Sequence, residues 1–240
     1  MPNIFKSMPP VTKNIIIICV IIQLATSFVS SLGPTVNRFC GLHFLTATDF
    51  NGVQLVTYMF LHGGFIHLLF NMFTLFMFGT ILEYTLGSRR FLLFYLTCGV
   101  GAALIQEGVW ALTLPDTIIN GLAQVNHVTR TQIEQYIAMN PGVMTDNLNY
   151  FTTVGASGSI YGVLLAFGML YPNRPLYFMF IPVPVKAKYM VIIWILLELL
   201  LGVGAQADGI AHFAHLGGMI FGFLMIWYWM KKGIVHRENF

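Results

Sequence analysis

The residues able to do chemistry in this sequence are few and stand in three places. Ser157 lies in Gly155-Ala156-Ser157-Gly158, His212 and His215 are one helical turn apart, and His67 precedes Asn71 by four residues. A serine hydroxyl is a weak nucleophile until a base takes its proton. Neutral imidazole is the usual base, because it titrates near operating pH. A serine and a histidine brought together are therefore equipped for nucleophilic acyl transfer. The tetrahedral intermediate of that chemistry needs donors already aimed at its oxyanion. His67 and Asn71 share a helical face, and a backbone amide at a helix start, such as that of Ser157, has no intrahelical acceptor. Tyr161, four residues after Ser157, lies on the same face and is placed to pack against the ring of the base. No Asp or Glu is positioned by the sequence to orient that ring: Asp208 is seven residues from His215 and nearer the surface. The unit read from the residues is a Ser–His dyad.

Two other readings of the same residues exist. A serine between glycines also allows tight helix packing. His212-x-x-His215 puts two metal ligands on one face, with His62 and His67 as further donors. That second reading leaves Gly155-Ala156-Ser157-Gly158 unexplained.

The elements that must position these groups are membrane helices. Of the 240 residues, 57% are hydrophobic and 9% charged, against about 45–50% and about 25% in soluble domains. The mean hydropathy is +0.75. A water-soluble globule and a disordered chain are both excluded by these numbers. A net charge of +3 is too small to suggest a nucleic-acid partner. Cys19, Cys40 and Cys98 form no C-x-x-C pair and read as small buried hydrophobes.

Stretches of roughly 20 apolar residues fall at about 14–32, 65–83, 90–112, 154–171, 187–204 and 210–230. The expected fold class is all-α: a polytopic six-transmembrane-helix bundle, one transmembrane domain over 1–240 with no separate soluble domain. Residues 33–64, 114–150 and 172–186 read as linkers. Leu55–Leu61 is expected on or in the membrane surface, and Arg130–Ala138 as a short surface helix. Lys6, Lys13, Arg89, Arg90, Arg174, Lys186, Lys188, Lys231, Lys232 and Arg237 fall on one side of these spans; Arg38 and Arg130 fall on the other. The positive-inside rule then puts both termini in the cytoplasm; by analogy, the minimal six-span size and the lack of a targeting presequence fit a bacterial plasma membrane. Spans two, four and six run inward from the outer face. At about 1.5 Å per residue, the three reactive places lie at one depth, one to two turns below the outer surface. Polar groups in a membrane are costly and usually face an interior or a wet cavity. Gly158 and Gly162 on span four, and Gly218 and Gly222 on span six, give G-x-x-x-G spacings that let backbones approach closely.

At these residues the sequence resembles the rhomboid family of intramembrane serine proteases. Gly155-Ala156-Ser157-Gly158 with Tyr161 is similar to the family's G-x-S-G segment. Ala214-His215-Leu216-Gly217-Gly218, continuing to Gly222, is similar to its A-H-x-x-G-x-x-x-G segment. His62-Gly63-Gly64-Phe65-Ile66-His67-Leu68-Leu69-Phe70-Asn71 is similar to its second-helix segment, and Gly79 through Glu83 to Gly87-Ser88 to its G-x-x-x-E-x-x-x-G-S run. The resemblance implies a six-helix core with a short central fourth helix. It implies Ser157 as nucleophile and His215 as general base. His67, Asn71 and the Ser157 amide would hold the oxyanion, and Tyr161 would support His215, with Gly155 and Gly158 flanking the nucleophile. It also implies cleavage of membrane-anchored proteins within or beside their transmembrane segments, with no cofactor and no metal. The partners are then transmembrane protein substrates and the lipid bilayer; the oligomeric state is not readable. Segment 33–64 would form an outer loop, and span five with its outer cap would gate the substrate. A Trp-Arg pair common in that loop is missing here, where Asn51-Gly52-Val53-Gln54 stands.

The remaining polar residues are expected to be structural. His212 is the decoy for His215. Ser159 is a packing residue, and His62 makes a loop hydrogen bond. Glu83 pairs with a nearby Arg. His43, His127 and His236 are solvated, and Trp227 and Trp229 sit in an interfacial belt. The sequence leaves the roles of Glu107 and Glu198 open.

Overall fold

The computed structural model describes residues 8–178, 181–204 and 209–237. Lys6 and Asp208 lie outside them. The order begins with α1 (Pro10–Phe28), α2 (Leu32–Cys40), the two-residue strand β1 (Leu42–His43) and the short α3 (Gln54–Thr57). Then come α4 (Phe65–Leu86) and α5 (Ser88–Val125). After them follow α6 (Arg130–Met139), α7 (Gly142–Leu148), β2 (Thr152–Thr153) and α8 (Ser157–Leu170). The hairpin β3 (Pro175–Phe178) and β4 (Ile181–Lys186), then α9 (Ala187–Gly204) and α10 (Gly209–Lys231), complete the order.

Each predicted span contains a helix. Among the described residues, α1, α4, α5 and residues 212–231 of α10 are long and apolar enough to cross a bilayer. The chain is a helical, multi-pass membrane protein, and its helices turn apolar side chains outward where lipid receives them. On α4, Phe65, Ile66, Leu69, Phe70 and Phe73 are all exposed. The helix α8 is the exception. Its 14 residues reach about 21 Å, less than the roughly 30 Å of a hydrocarbon core. Eleven of them are buried, from Gly158 to Leu170. This helix is short and surrounded on all sides, which is why it shows almost no polar face in sequence.

Several boundaries differ from the sequence reading. The first helix starts at Pro10, where a proline at the first position suits the helix, and ends at Phe28 rather than 32. The third continues to Val125, through Pro115, into what reads as a polar linker. Leu114 and Ile118 remain buried on either side of that proline, so packing carries the helix past it. Arg130 then ties the extension to α6 through Asp116, Asn120 and Glu134. The expected surface helix is present as α6, opened by a reciprocal Thr129–Gln132 cap. Prolines 175, 182 and 184 stand in a strand hairpin rather than a plain linker.

Glu83 is buried and structural, but not through an arginine. Its carboxylate accepts from the amides of Val11 and Thr12 at 2.9 and 2.7 Å and from the Ser88 hydroxyl at 2.7 Å. An anion there satisfies the unpaired first-turn donors of α1 and favours its dipole. Trp229 is buried against Phe94, while Trp227 is exposed.

The loop between α2 and α4 is held without a Trp-Arg pair. Gln54 is fully buried. It donates to the carbonyls of Arg38 and Asp49 and accepts from the His43 amide. Arg38 pairs with Asp49 through two nitrogens. Thr57 donates to the Cys40 carbonyl, and Leu42–His43 pairs with Thr152–Thr153. Glu107 accepts from the Leu45 amide at 2.8 Å, anchoring this loop to α5. His43 is therefore not solvated: it is buried, with Nδ1 3.0 Å from the Gly41 carbonyl oxygen. His127 and His236 are exposed, as expected. The segment from Gln54 to Phe60 is helical and turns Tyr58 and Met59 inward.

Candidate active site

The contact between α8 and α10 is made by absent side chains. A Cβ on Gly218 would fall 1.8 Å from the Gly158 carbonyl oxygen, and one on Gly162 would fall 2.9 Å from the Gly218 carbonyl oxygen. No larger residue fits at either place without parting the helices. The two G-x-x-x-G seams read from the sequence meet here. Ser159, buried beside them, donates to the Tyr95 carbonyl at 2.8 Å and also contacts Met59 Sδ at 3.3 Å.

Close approach at the seam brings Ser157 and His215 together at one end of the same interface. Ser157 is the first residue of α8. Its Oγ lies 2.8 Å from His215 Nε2 on α10. Tyr161 stacks on the His215 ring, with centroids 4.2 Å apart and planes 8° from parallel. His212 is one turn away, its ring edge-on to His215 at 6.3 Å, and it bonds elsewhere.

Gly155 enters this helix with φ +138°, a conformation that side chains rarely adopt. Its amide donates to the Tyr58 carbonyl at 3.0 Å. A Cβ there would sit 2.9 Å from His67 Cε1, 3.1 Å from His67 Nε2 and 3.5 Å from Ser157 Oγ. One empty position thus adjoins both His67 and Ser157, and only glycine leaves it open. His67 Nδ1 accepts from the Gly63 amide at 3.3 Å, which leaves Nε2 facing Gly155. Asn71 is buried, and its amide nitrogen donates to the His67 carbonyl at 2.9 Å. That bond uses one of two amide hydrogens.

His62 finds its loop partner in the Phe60 backbone, short of full hydrogen-bond geometry. Its ring nitrogens are buried without a bond of normal geometry, and the ring lies edge-on to His67 at 5.1 Å. Burial, with His67 beside it, pushes His62 down to about 4, so it is neutral at pH 7.

One carboxylate does approach His215, contrary to the sequence reading. Glu198 on α9 is 5% exposed. Its Oε2 is 2.5 Å from His212 Nδ1 and 3.1 Å from His215 Nδ1. Tyr161 hydrogen-bonds to the same carboxylate. The ligand atoms of Glu198, His212 and His215 lie within 4.8 Å of one another. In sequence Glu198 is a lone carboxylate in an apolar run, and nothing in the spacing signals which helix it faces.

Similarity to known proteins follows the same stretches. Residues 50–232 match the Rhomboid domain. The yeast (Saccharomyces cerevisiae) protein named "Rhomboid protein 1, mitochondrial" is 27% identical over 253 aligned positions, covering 99% of this chain and 61% of that protein. Rhomboid protease AarA of Providencia stuartii is 29% identical over 171 positions, 70% of this chain and 52% of that protein. RHOMBOID-like protein 5 of Arabidopsis thaliana is 26% identical over 195 positions, 80% and 50% of the two chains. The chain spans about half to three fifths of the length of these relatives.

Proposed function

The chain belongs to the rhomboid family, and from that premise we propose that it is an intramembrane serine protease that cleaves membrane-anchored proteins with a Ser157–His215 dyad. The observation that carries this reading is the 2.8 Å approach of Ser157 Oγ to His215 Nε2, between two helices locked together by glycines. The Providencia relative, a rhomboid protease by name, supports it.

In this mechanism His215 Nε2 takes the hydroxyl proton as Ser157 Oγ attacks the scissile carbonyl. The imidazolium then gives that proton to the leaving amine. Water enters the acyl-enzyme by the same route and frees the second product. The oxyanion is received by the Ser157 amide, His67 Nε2 and the second amide hydrogen of Asn71. Tyr161 holds the ring of His215 flat. All of this happens in a site sheltered by helices, where donors act more strongly than in water.

The assigned topology has six spans, with α8 and α9 completing the four long helices, and a single transmembrane domain. The assigned location is a bacterial plasma membrane with both termini cytoplasmic. The orientation rests on the ten-to-two distribution of basic residues, and the bacterial plasma membrane on analogy with the minimal six-span size. Four of the ten lie over aromatic rings: Arg174 on Tyr171, Lys188 on Tyr189, Lys231 on Trp227 and Lys232 on Tyr228. Such pairs suit the headgroup level of a bilayer.

A fluorophosphonate probe tests the reading without a known substrate. The wild-type chain is expected to be labelled covalently and His215→Ala to label at least about 100-fold more slowly. Equal labelling rates would remove His215 as the base. Asn71→Ala is expected to lower kcat by about ten- to a hundredfold with little change in KM, because the oxyanion forms only on the way to product. Unchanged turnover would take Asn71 out of the site.

A further inference from the structure

We infer that Glu198 is a positioning residue for His215: its carboxylate, supplied by α9, orients the ring so that Nε2 accepts the proton of Ser157. This rests on the dyad reading above and adds a third member to it.

For Nε2 to accept from Ser157, the neutral ring must carry its hydrogen on Nδ1. That nitrogen is buried and makes no hydrogen bond of standard geometry. The Glu198 oxygen stands 3.1 Å away, so a small rotation of the ring aligns an N–H···O⁻ bond. Stacking on Tyr161 leaves rotation within the ring plane as the free motion, and the carboxylate limits that motion.

Burial supports the same assignment. Glu198 is buried, while Leu196, Leu197, Leu199 and Leu200 around it face outward. A carboxylate taken out of water is costly unless paired and hydrogen-bonded. The partners Glu198 finds are His215, His212 and Tyr161. His212 then has a part of its own. With Nδ1 2.5 Å from the shared oxygen, it keeps the carboxylate in place. When Ser157 gives up its proton, the ring becomes a cation and the adjacent carboxylate stabilises it. The groups facing His215 are Ser157 and Tyr161 from α8, Glu198 from α9, His212 from its own helix and His67 from α4.

The test measures cleavage of a single-span substrate by the full-length chain in liposomes. Glu198→Ala is expected to lower kcat by about 100-fold or more with KM within about twofold. Glu198→Gln, which keeps an acceptor but loses the charge, should lose about tenfold, and Glu198→Asp should retain more activity than Glu198→Gln. If Glu198→Ala fails to fold, the isosteric Glu198→Gln decides. Full kcat in Glu198→Gln and Glu198→Ala, with Ser157→Ala and His215→Ala inactive, overturns this inference and leaves the dyad standing. Persistent cleavage by Ser157→Ala overturns the dyad itself. Loss of wild-type cleavage on chelation, restored by zinc, would assign Glu198, His212 and His215 to a metal and also overturn the inference.

Discussion

Ser157→Ala is expected to abolish cleavage of a helix-destabilised single-span substrate, a loss on the order of 10⁴-fold or more, while the chain folds normally. The hydroxyl has one partner, His215 Nε2 at 2.8 Å, and the residue opens α8, where alanine is a good helix former. Losing that contact removes one hydrogen bond from a partly buried pair, so the cost to stability is about 1 kcal/mol. Fluorophosphonate labelling disappears in the same variant. Gel-resolved cleavage and a thermal melt in detergent check both halves. Wild-type cleavage by Ser157→Ala would end the serine-protease reading. Ser159→Ala serves as the contrast: that hydroxyl bonds the Tyr95 backbone, so its removal touches stability and not the nucleophile.

The second large effect is expected far from any reacting atom. Gly218→Val should lower kcat/KM by more than about 100-fold and lower the melting midpoint as well. The added Cβ would fall 1.8 Å from the Gly158 carbonyl oxygen. Backbone cannot move aside as a flexible side chain can, so α8 and α10 must separate. Overpacking of this kind typically costs about 1–3 kcal/mol. The larger consequence is geometric. Ser157 precedes Gly158 by one residue and His215 precedes Gly218 by three, so the separation acts directly on the 2.8 Å contact. A misplacement of about 1 Å at a reacting pair can cost about 100-fold in rate. Gly108→Ala is the control, because nothing lies within 4 Å of a Cβ there. Wild-type activity in Gly218→Val would mean that the seam does not set the site.

Local chemistry made much of this molecule legible from its residues. Composition required lipid. Apolar runs located six helices, and the two G-x-x-x-G spacings identified a pair that meets backbone to backbone. Spacing along single helices put Tyr161 on the face of Ser157, where it stacks on His215, and His67 on one face with Asn71. These inferences use the helix period or the solvent, and both are properties of a chain read in order.

What failed to show in sequence depends on contacts between distant segments. Glu83 caps α1 across more than 70 residues. Gln54 holds the loop between α2 and α4 in place of a Trp-Arg pair, and His43 is buried beneath it. The third helix continues past Pro115 because Leu114 and Ile118 are buried. Glu198 carries the most weight: an acid in an apolar helix reads as an anomaly until the rotation of α9 about its axis is known. The order of residues was enough to specify the membrane, the helices and the groups able to react. Which of those groups touch was settled by the packing of the folded chain. A buried polar group takes its partner from whichever helix comes within about 3 Å, and no periodicity along one helix encodes the face of another.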